Sequence, residues 1–156
     1  MKKIILAIIA GIIPLVLPAA STDFWFRHFS VEDGLSSNSV RAIMQDKYGF
    51  MWLGTDDGLN RYDGTTIKVY NLNPQGSNDY ISSLYDTTDN IWVGTEGGVY
   101  IFDYETESFE LFKVLTAQGD SIKSNVNHIA EDRDGNLWFS TVGQGIFKYN
   151  ISKHYL

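Results

Sequence analysis

The pattern of apolar and polar positions repeats three times along the chain. Each copy has a polar turn containing Asp, an apolar pair that includes Trp, a small residue, Thr and then Gly. The recurring positions are Trp52, Gly54, Thr55, Gly58, Trp92, Gly94, Thr95, Gly98, Trp138, Thr141 and Gly145, with Ser140 as the small residue of the third copy. The Trp residues lie 40 and then 46 residues apart, a spacing typical of repeat architectures such as propellers.

Each copy predicts short antiparallel strands. Runs rich in β-branched and aromatic residues alternate with turns that contain Asp and Gly, and this alternation is typical of hairpins. The predicted strands cover residues 40–45, 50–55, 59–62 and 66–70, then 80–85, 90–95, 99–102 and 109–112, then 126–130, 136–141 and 146–149. No segment of ten or more residues in the repeats has the apolar period of a helix.

The strand that carries each Trp has apolar residues on both of its alternating faces. A strand covered on one face alternates polar and apolar residues, whereas a strand packed on both faces need not. Four-stranded sheets stacked radially as propeller blades bury both faces. We therefore expect the three indoles to pack between blades, and Gly54, Gly94 and Ser140 to admit a bulky ring from a neighbouring blade.

The predicted fold class is all-β: an incomplete β-propeller of about three four-stranded antiparallel blades plus a lone N-terminal strand. We assign residues 1–20 to a signal peptide and 21–39 to a lead-in with the lone outer strand at 24–29. Blades follow at 40–76, 77–116 and 117–156, the last with an incomplete outer strand. Because propellers close with about four to eight blades, we expect the remaining blades in a longer protein.

The first twenty residues have the layout of a secretory signal peptide. Lys2 and Lys3 precede an apolar run over 4–17, and small residues follow at 19–21. This run contains Pro14 and is shorter than the roughly 20 apolar residues that a membrane helix needs. The sequence therefore predicts export.

Charge argues against a nucleic-acid partner. The chain has 12 basic and 19 acidic residues, and no basic cluster follows residue 20. Phosphate binding depends on clustered Lys and Arg. The absence of Cys leaves the redox compartment open.

No catalytic, metal or cofactor site is predicted. The segment 132–136 resembles the start of a calcium loop, but its Gly comes too early and no bidentate Glu follows. The segment 143–145 lacks the third Gly of a dinucleotide site. His28, His128 and His154 lack metal-ligand spacing.

Aromatic residues near the strand ends are the candidates for stacking against a sugar. Tyr48, Tyr80 and Tyr85 are such residues, with simple packing as the alternative for each. The ligand-binding residues otherwise stay undefined at this stage.

Residues 45–64, QDKYGFMWLGTDDGLNRYDG, resemble the two-component regulator propeller repeat. That repeat has the form Asp-x-x-Gly, two hydrophobic residues, Trp, a hydrophobic residue and Gly-Thr, followed by Gly-Leu and an aromatic-Asp ending. Residues 32–40, EDGLSSNSV, are similar to the family's N-terminal lead-in. The resemblance covers roughly residues 24–150. The second copy departs from the family pattern by losing the Gly of its first turn, and the third departs by Ser140 and an extra turn residue.

This resemblance implies the periplasmic sensor region of a bacterial hybrid two-component system. In such proteins tandem propellers sense oligosaccharides, and a membrane helix leads to a histidine kinase. The expected partners are the remaining blades, an oligosaccharide ligand and a second copy in a homodimer. The chain itself is expected not to be an enzyme, since kinase activity would lie in a C-terminal part not present here. That missing part would also tether the protein to the inner membrane.

Two alternatives remain open from the sequence. The chain could belong to a secreted propeller enzyme, a polysaccharide lyase or hydrolase, because propellers also carry such activities. It could also be a truncated product without activity.

Overall fold

The computed structural model describes residues 25–72, 80–87, 89–113 and 121–151. The predicted signal peptide lies outside these ranges. Within them the chain is all-β apart from one 3₁₀ turn, Val31–Asp33. No helix in this part of the chain is long and apolar enough to cross a membrane.

Three antiparallel sheets follow one another along the chain. The first contains β1 (Val40–Gln45), β2 (Met51–Thr55), β3 (Gly58–Tyr62) and β4 (Ile67–Tyr70). The second contains β5 (Ile81–Asp86), β6 (Ile91–Thr95), β7 (Gly98–Asp103) and β8 (Ser108–Leu111). The third contains β9 (Val126–Glu131), β10 (Asn136–Thr141) and β11 (Ile146–Asn150). Within each sheet, every strand pairs with the next along the chain, as in a propeller blade.

The sheets stack as blades around their first strands. β1 contacts β5, and β5 in turn contacts β9. One hydrophobic cluster joins the first blade to the second, and another joins the second blade to the third. This arrangement confirms the predicted propeller-like, all-β fold.

The Trp residues of the first two blades lie at the centres of these clusters. The Trp52 ring centroid lies 5.0 Å from that of Phe102 in the next blade. Trp92 repeats the relation, 5.7 Å from Tyr149 of the third blade. Both indoles are buried. Each therefore joins its own blade to the following one through edge-on or tilted aromatic packing.

Trp138 does not share this burial, so the expectation of three buried indoles is wrong for the third blade. Its side chain is 39% exposed because no further sheet covers this face in the described part of the chain. Ile146 lies on the same face and is 69% exposed, whereas its counterparts Leu59 and Val99 are fully buried. The surface that is buried in the first two blades is thus exposed in the third.

Two glycines allow the inner strand of the next blade to approach closely. A Cβ at Gly54 would lie 2.5 Å from Cγ2 of Ile81, and a Cβ at Gly94 would lie 2.9 Å from the carbonyl oxygen of Val126. Ile81 and Val126 begin β5 and β9. The neighbour from the next blade is thus a β-branched aliphatic residue at a strand start, instead of the predicted aromatic ring.

The recurring Thr and Gly close the turn between the second and third strands. In each blade the Thr hydroxyl donates to the carbonyl of the Gly: Thr55 to Gly58 at 2.9 Å, Thr95 to Gly98 at 3.0 Å and Thr141 to Gly145 at 2.8 Å. These glycines have φ of 115°, 136° and 80°, values that are unfavourable for residues with a side chain. The Thr and Gly positions therefore recur for the sake of this turn.

The lead-in binds the first blade without forming the predicted lone strand. Residues 25–30 pair with no strand in the described part of the chain, and a strand needs a partner for its backbone hydrogen bonds. The lead-in is instead fixed through Ser36, whose N–H donates to Oδ1 of the buried Asn60 at 2.9 Å. Asn60 donates back to the Ser36 hydroxyl at 2.9 Å.

An Asp in the turn between the first and second strands holds the Trp of the first and third blades. Oδ2 of Asp46 accepts the indole N–H of Trp52 at 2.7 Å, while Oδ1 accepts two backbone N–H groups of the turn. Asp132 binds Trp138 and its own turn in the same way, with an indole bond of 2.9 Å. These hydrogen bonds hold the pKa of Asp132 well below its usual range.

Replacing Asp46 by Ala should destabilise the fold by about 1–3 kcal/mol, because it leaves the buried Trp52 N–H without an acceptor. Asp132→Ala should cost less, because water can reach the half-exposed Trp138. Urea unfolding followed by Trp fluorescence measures both effects. Equal losses would contradict the role of burial.

Replacing Gly94 by Ala should cost about 1–3 kcal/mol of unfolding free energy, because the new methyl group would overlap the backbone of Val126. Gly97→Ala is the matched control: nothing lies within 4 Å of a Cβ there, so stability should change by less than about 0.5 kcal/mol. Urea unfolding of the two variants provides the comparison. A tolerated Gly94→Ala would show that the blades can separate slightly.

Candidate functional site

The turn between the first and second strands is one residue shorter in the second blade. It comprises residues 46–50 and 132–136 in the flanking blades, but only 87–90 here. The same backbone bond closes all three turns, from the N–H of the first residue to the carbonyl of the last. Thr87 therefore occupies the place of Asp46 and Asp132, and its hydroxyl donates to the carbonyl of Asn90 at 2.9 Å.

This exchange leaves the Trp of the second blade without its carboxylate. Trp92 is only 4% exposed. Its indole N–H has no hydrogen-bond acceptor among the residues that the structure describes. A buried donor without an acceptor is unfavourable and rare in folded proteins.

Three recesses meet at the short turn, and Asn90 lines all of them. The first, of about 250 Å³, lies between the second and third blades and is lined by Thr87, Asp89, Asn90, Trp92, Glu131, Gly135 and Ile151. The second, of about 410 Å³, faces the first blade and is lined by Lys47, Tyr48, Asp89, Asn90, Asp103, Tyr104 and Glu105. The third, of about 270 Å³, is lined by Asn90, Ile101, Asp103, Thr106, Ser108 and Glu110. We call these three recesses together the short-turn site.

An aromatic pair forms one wall of the 410 Å³ recess. The rings of Tyr48 and Tyr104 pack edge to face with centroids 4.9 Å apart. The Lys47 ammonium lies 5.2 and 4.9 Å from their centroids, within cation–π distance. Tyr48 is 60% exposed, so much of this side chain is open to a ligand.

Asp86 supports this wall from below. Its carboxylate accepts the backbone N–H of Lys47 at 3.0 Å and the hydroxyl of Tyr104 at 3.3 Å. Burial raises the pKa of Asp86, and the nearby charge of Asp46 adds to the effect. Burial, together with the charge of Asp86, also raises the pKa of Tyr104. The Tyr104 hydroxyl therefore stays protonated and donates.

The three Tyr residues expected near the strand ends do not gather at one place. Tyr48 lines the 410 Å³ recess. Tyr85 donates its hydroxyl to Glu131 at 3.1 Å, and Glu131 lines the 250 Å³ recess. Tyr80 precedes β5 at the opposite end of the sheet, where Arg41 lies over its ring at 5.4 Å.

Sequence reasoning missed Asn90, Tyr104 and Glu131 as site residues. The usable signal is the turn length: the second copy lacks one residue between its paired strand ends, and the repeat pattern by itself shows this only as a lost Gly. Carboxylates predominate at the short-turn site, with one Lys. Within the described ranges, no group of three or more His, Cys, Asp or Glu side chains could hold a metal ion.

Comparison with known proteins places this geometry in a family context. The model of the family described as two component regulator propeller matches residues 34–57 and 121–143, so the second copy lies outside the match. Over 70 residues, 45% of this chain, the sequence is 46% identical to "Histidine kinase P4" of Formosa agariphila. The chain spans only 5% of that protein's length.

Solved structures with the same architecture include extracellular domains from B. thetaiotaomicron. One belongs to BT3049, described as a hybrid two component system, with 31% identity and a TM-score of 0.73 over 82% of this chain and 19% of that chain. Another belongs to BT4673, with 25% identity and a TM-score of 0.68 over 81% of this chain and 19% of that chain. This chain therefore spans about a fifth of the length of these neighbours.

The family match falls on the Trp-containing repeats that build the blades, and the structural matches extend over four-fifths of the chain. The fold, the repeat and these relatives all indicate a regulator propeller. The chain therefore carries repeats that match the two component regulator propeller model, and it forms part of a propeller similar to the extracellular domain of a protein described as a hybrid two component system.

Proposed function

We propose that this chain is part of the periplasmic region of a two-component signalling protein and that the region recognises an oligosaccharide. The observation that carries the proposal is its 31% identity, over 82% of its length, to an extracellular domain of a protein described as a hybrid two component system. The similarity to a protein named as a histidine kinase also supports a role in two-component signalling. The chain acts by binding and has no chemistry of its own.

The proposal includes export and a partner. The N-terminal leader directs the chain out of the cytoplasm, and a later part tethers the protein to the inner membrane. The remaining blades complete the ring, and ligand binding changes how two copies associate. A ligand can drive such a change only if it binds one state more tightly than the other.

The short-turn site has the chemistry that a saccharide needs. Carboxylates of Asp89, Asp103 and Glu105 line the 410 Å³ recess and can accept hydrogen bonds from sugar hydroxyls. The Tyr48 side chain is exposed beside them and can pack on the apolar face of a sugar ring. Asn90 adds an amide, which both donates and accepts.

Isothermal titration calorimetry of the complete exported region against a panel of neutral and acidic oligosaccharides tests this function. At least one oligosaccharide should bind. Tyr48→Ala should weaken that binding roughly 2- to 10-fold, as expected for about 0.5–1.5 kcal/mol of lost ring packing.

Tyr80→Ala is the matched control, because Tyr80 lies at the opposite end of its sheet, away from the short-turn site. Its affinity should equal that of the unmodified protein. An absence of heat with every oligosaccharide would reject the proposed ligand class. Equal effects of the two substitutions would place binding elsewhere.

A further inference from the structure

We propose that the 250 Å³ recess between the second and third blades is a subsite for a neutral, hydroxyl-bearing group, bound through the indole N–H of Trp92. This inference rests on the proposed function, since the group would belong to the same oligosaccharide. It adds a location, a named donor and a chemical class to that function.

The donor is identified by comparing the three blades. In the first and third blades a turn carboxylate accepts the indole N–H, at 2.7 Å from Asp46 and 2.9 Å from Asp132. In the second blade Thr87 takes that place, and residues of the short turn and Trp92 line the same recess. The missing carboxylate thus leaves a buried donor without a partner, in a residue that lines the recess. A ligand oxygen can take over the role of the carboxylate, with a small adjustment of the turn to admit it.

The acceptors come from the rim of the recess. Asp89 lines it from the second blade, and Glu131 lines it from the third. Glu131 is held in place by the Tyr85 hydroxyl, which donates to Oε2 at 3.1 Å. On the third-blade side the recess is lined by Gly135, which has no side chain to fill it. The φ of 76° at this position favours Gly over other residues. The recess therefore offers one buried donor and two carboxylate acceptors.

This combination selects the chemical class of the ligand. A hydroxyl group both donates and accepts, so neighbouring hydroxyls of one ring can satisfy the carboxylates and the indole together. An anionic group would be repelled by Asp89 and Glu131. A cationic group would satisfy the carboxylates but would leave the indole N–H without an acceptor. A neutral polyhydroxylated ring fits all three groups.

The size of the recess fits one such group. About 250 Å³ is several times the roughly 30 Å³ that a water molecule occupies, and it is below the roughly 300–1,000 Å³ of a complete ligand pocket. The 410 Å³ recess is adjacent, since Asp89 and Asn90 line both. The two recesses can therefore hold successive rings of one chain.

The test restores the missing carboxylate. Thr87→Asp combined with a Gly inserted after Asp89 gives the second turn the length of the third-blade turn and its Asp, Gly and Asn. In the complete exported region this variant should remain folded, with a melting temperature at least equal to that of the unmodified protein. Calorimetry uses three neutral trisaccharides (cellotriose, maltotriose and xylotriose) and the anionic trigalacturonate. The neutral trisaccharide that binds the unmodified protein should bind this variant at least tenfold more weakly.

A pair of Trp substitutions separates the effect of the indole N–H on binding from the effect of the ring's packing. Trp92→Phe removes the N–H and retains an aromatic ring, and it should weaken binding about tenfold. Trp52→Phe makes the same change where Asp46 already occupies the N–H, so affinity should not change. In ¹⁵N spectra of the indole groups, the neutral ligand should shift the Trp92 signal most.

The outcomes distinguish this inference from the proposed function. Binding of a neutral trisaccharide that neither turn restoration nor Trp92→Phe weakens would overturn the subsite and leave the function standing. Binding of trigalacturonate alone would overturn the neutral class. If no oligosaccharide binds, both proposals fail.

Discussion

The structure depends on one repeated interaction, a Trp of the second strand that packs between two blades. Trp52 and Trp92 each contact an aromatic residue of the following blade, and the small residue two positions later lets the next inner strand approach. In two blades the turn carboxylate fixes the indole. One residue therefore connects the local turn, the blade and the stacking of blades, which explains why the whole phrase repeats as a unit.

The second blade keeps the packing and gives up the carboxylate. Its turn is closed by Thr87 with one residue fewer, so Trp92 retains its aromatic neighbours but not its hydrogen bond. Recesses then open on both sides of Asn90. Departure from a repeat at a single turn is a common way for a repetitive scaffold to acquire an individual site, because the remaining blades keep the fold stable.

The strands and their order could be predicted from the sequence because each turn carries its own Asp or Gly. The conformation of residues 25–30 could not be predicted in this way. Whether they form a strand depends on a neighbouring strand to pair with, which the local sequence does not reveal. The exposure of Trp138 was missed for the same reason: burial belongs to the neighbouring sheet, not to the strand. The recesses around Asn90 together join residues from three sheets, and pattern analysis within one copy does not bring these residues together.

Trp138 also bears on how such a ring is assembled. Its indole is already oriented by Asp132, although no later sheet covers it in the described part of the chain. A blade can thus offer a finished template before the next one docks on it, as the first blade does for the second and the second for the third. Growth can then proceed one module at a time from the N-terminus while the polypeptide emerges, a directional route that keeps the sequence separation of new contacts small.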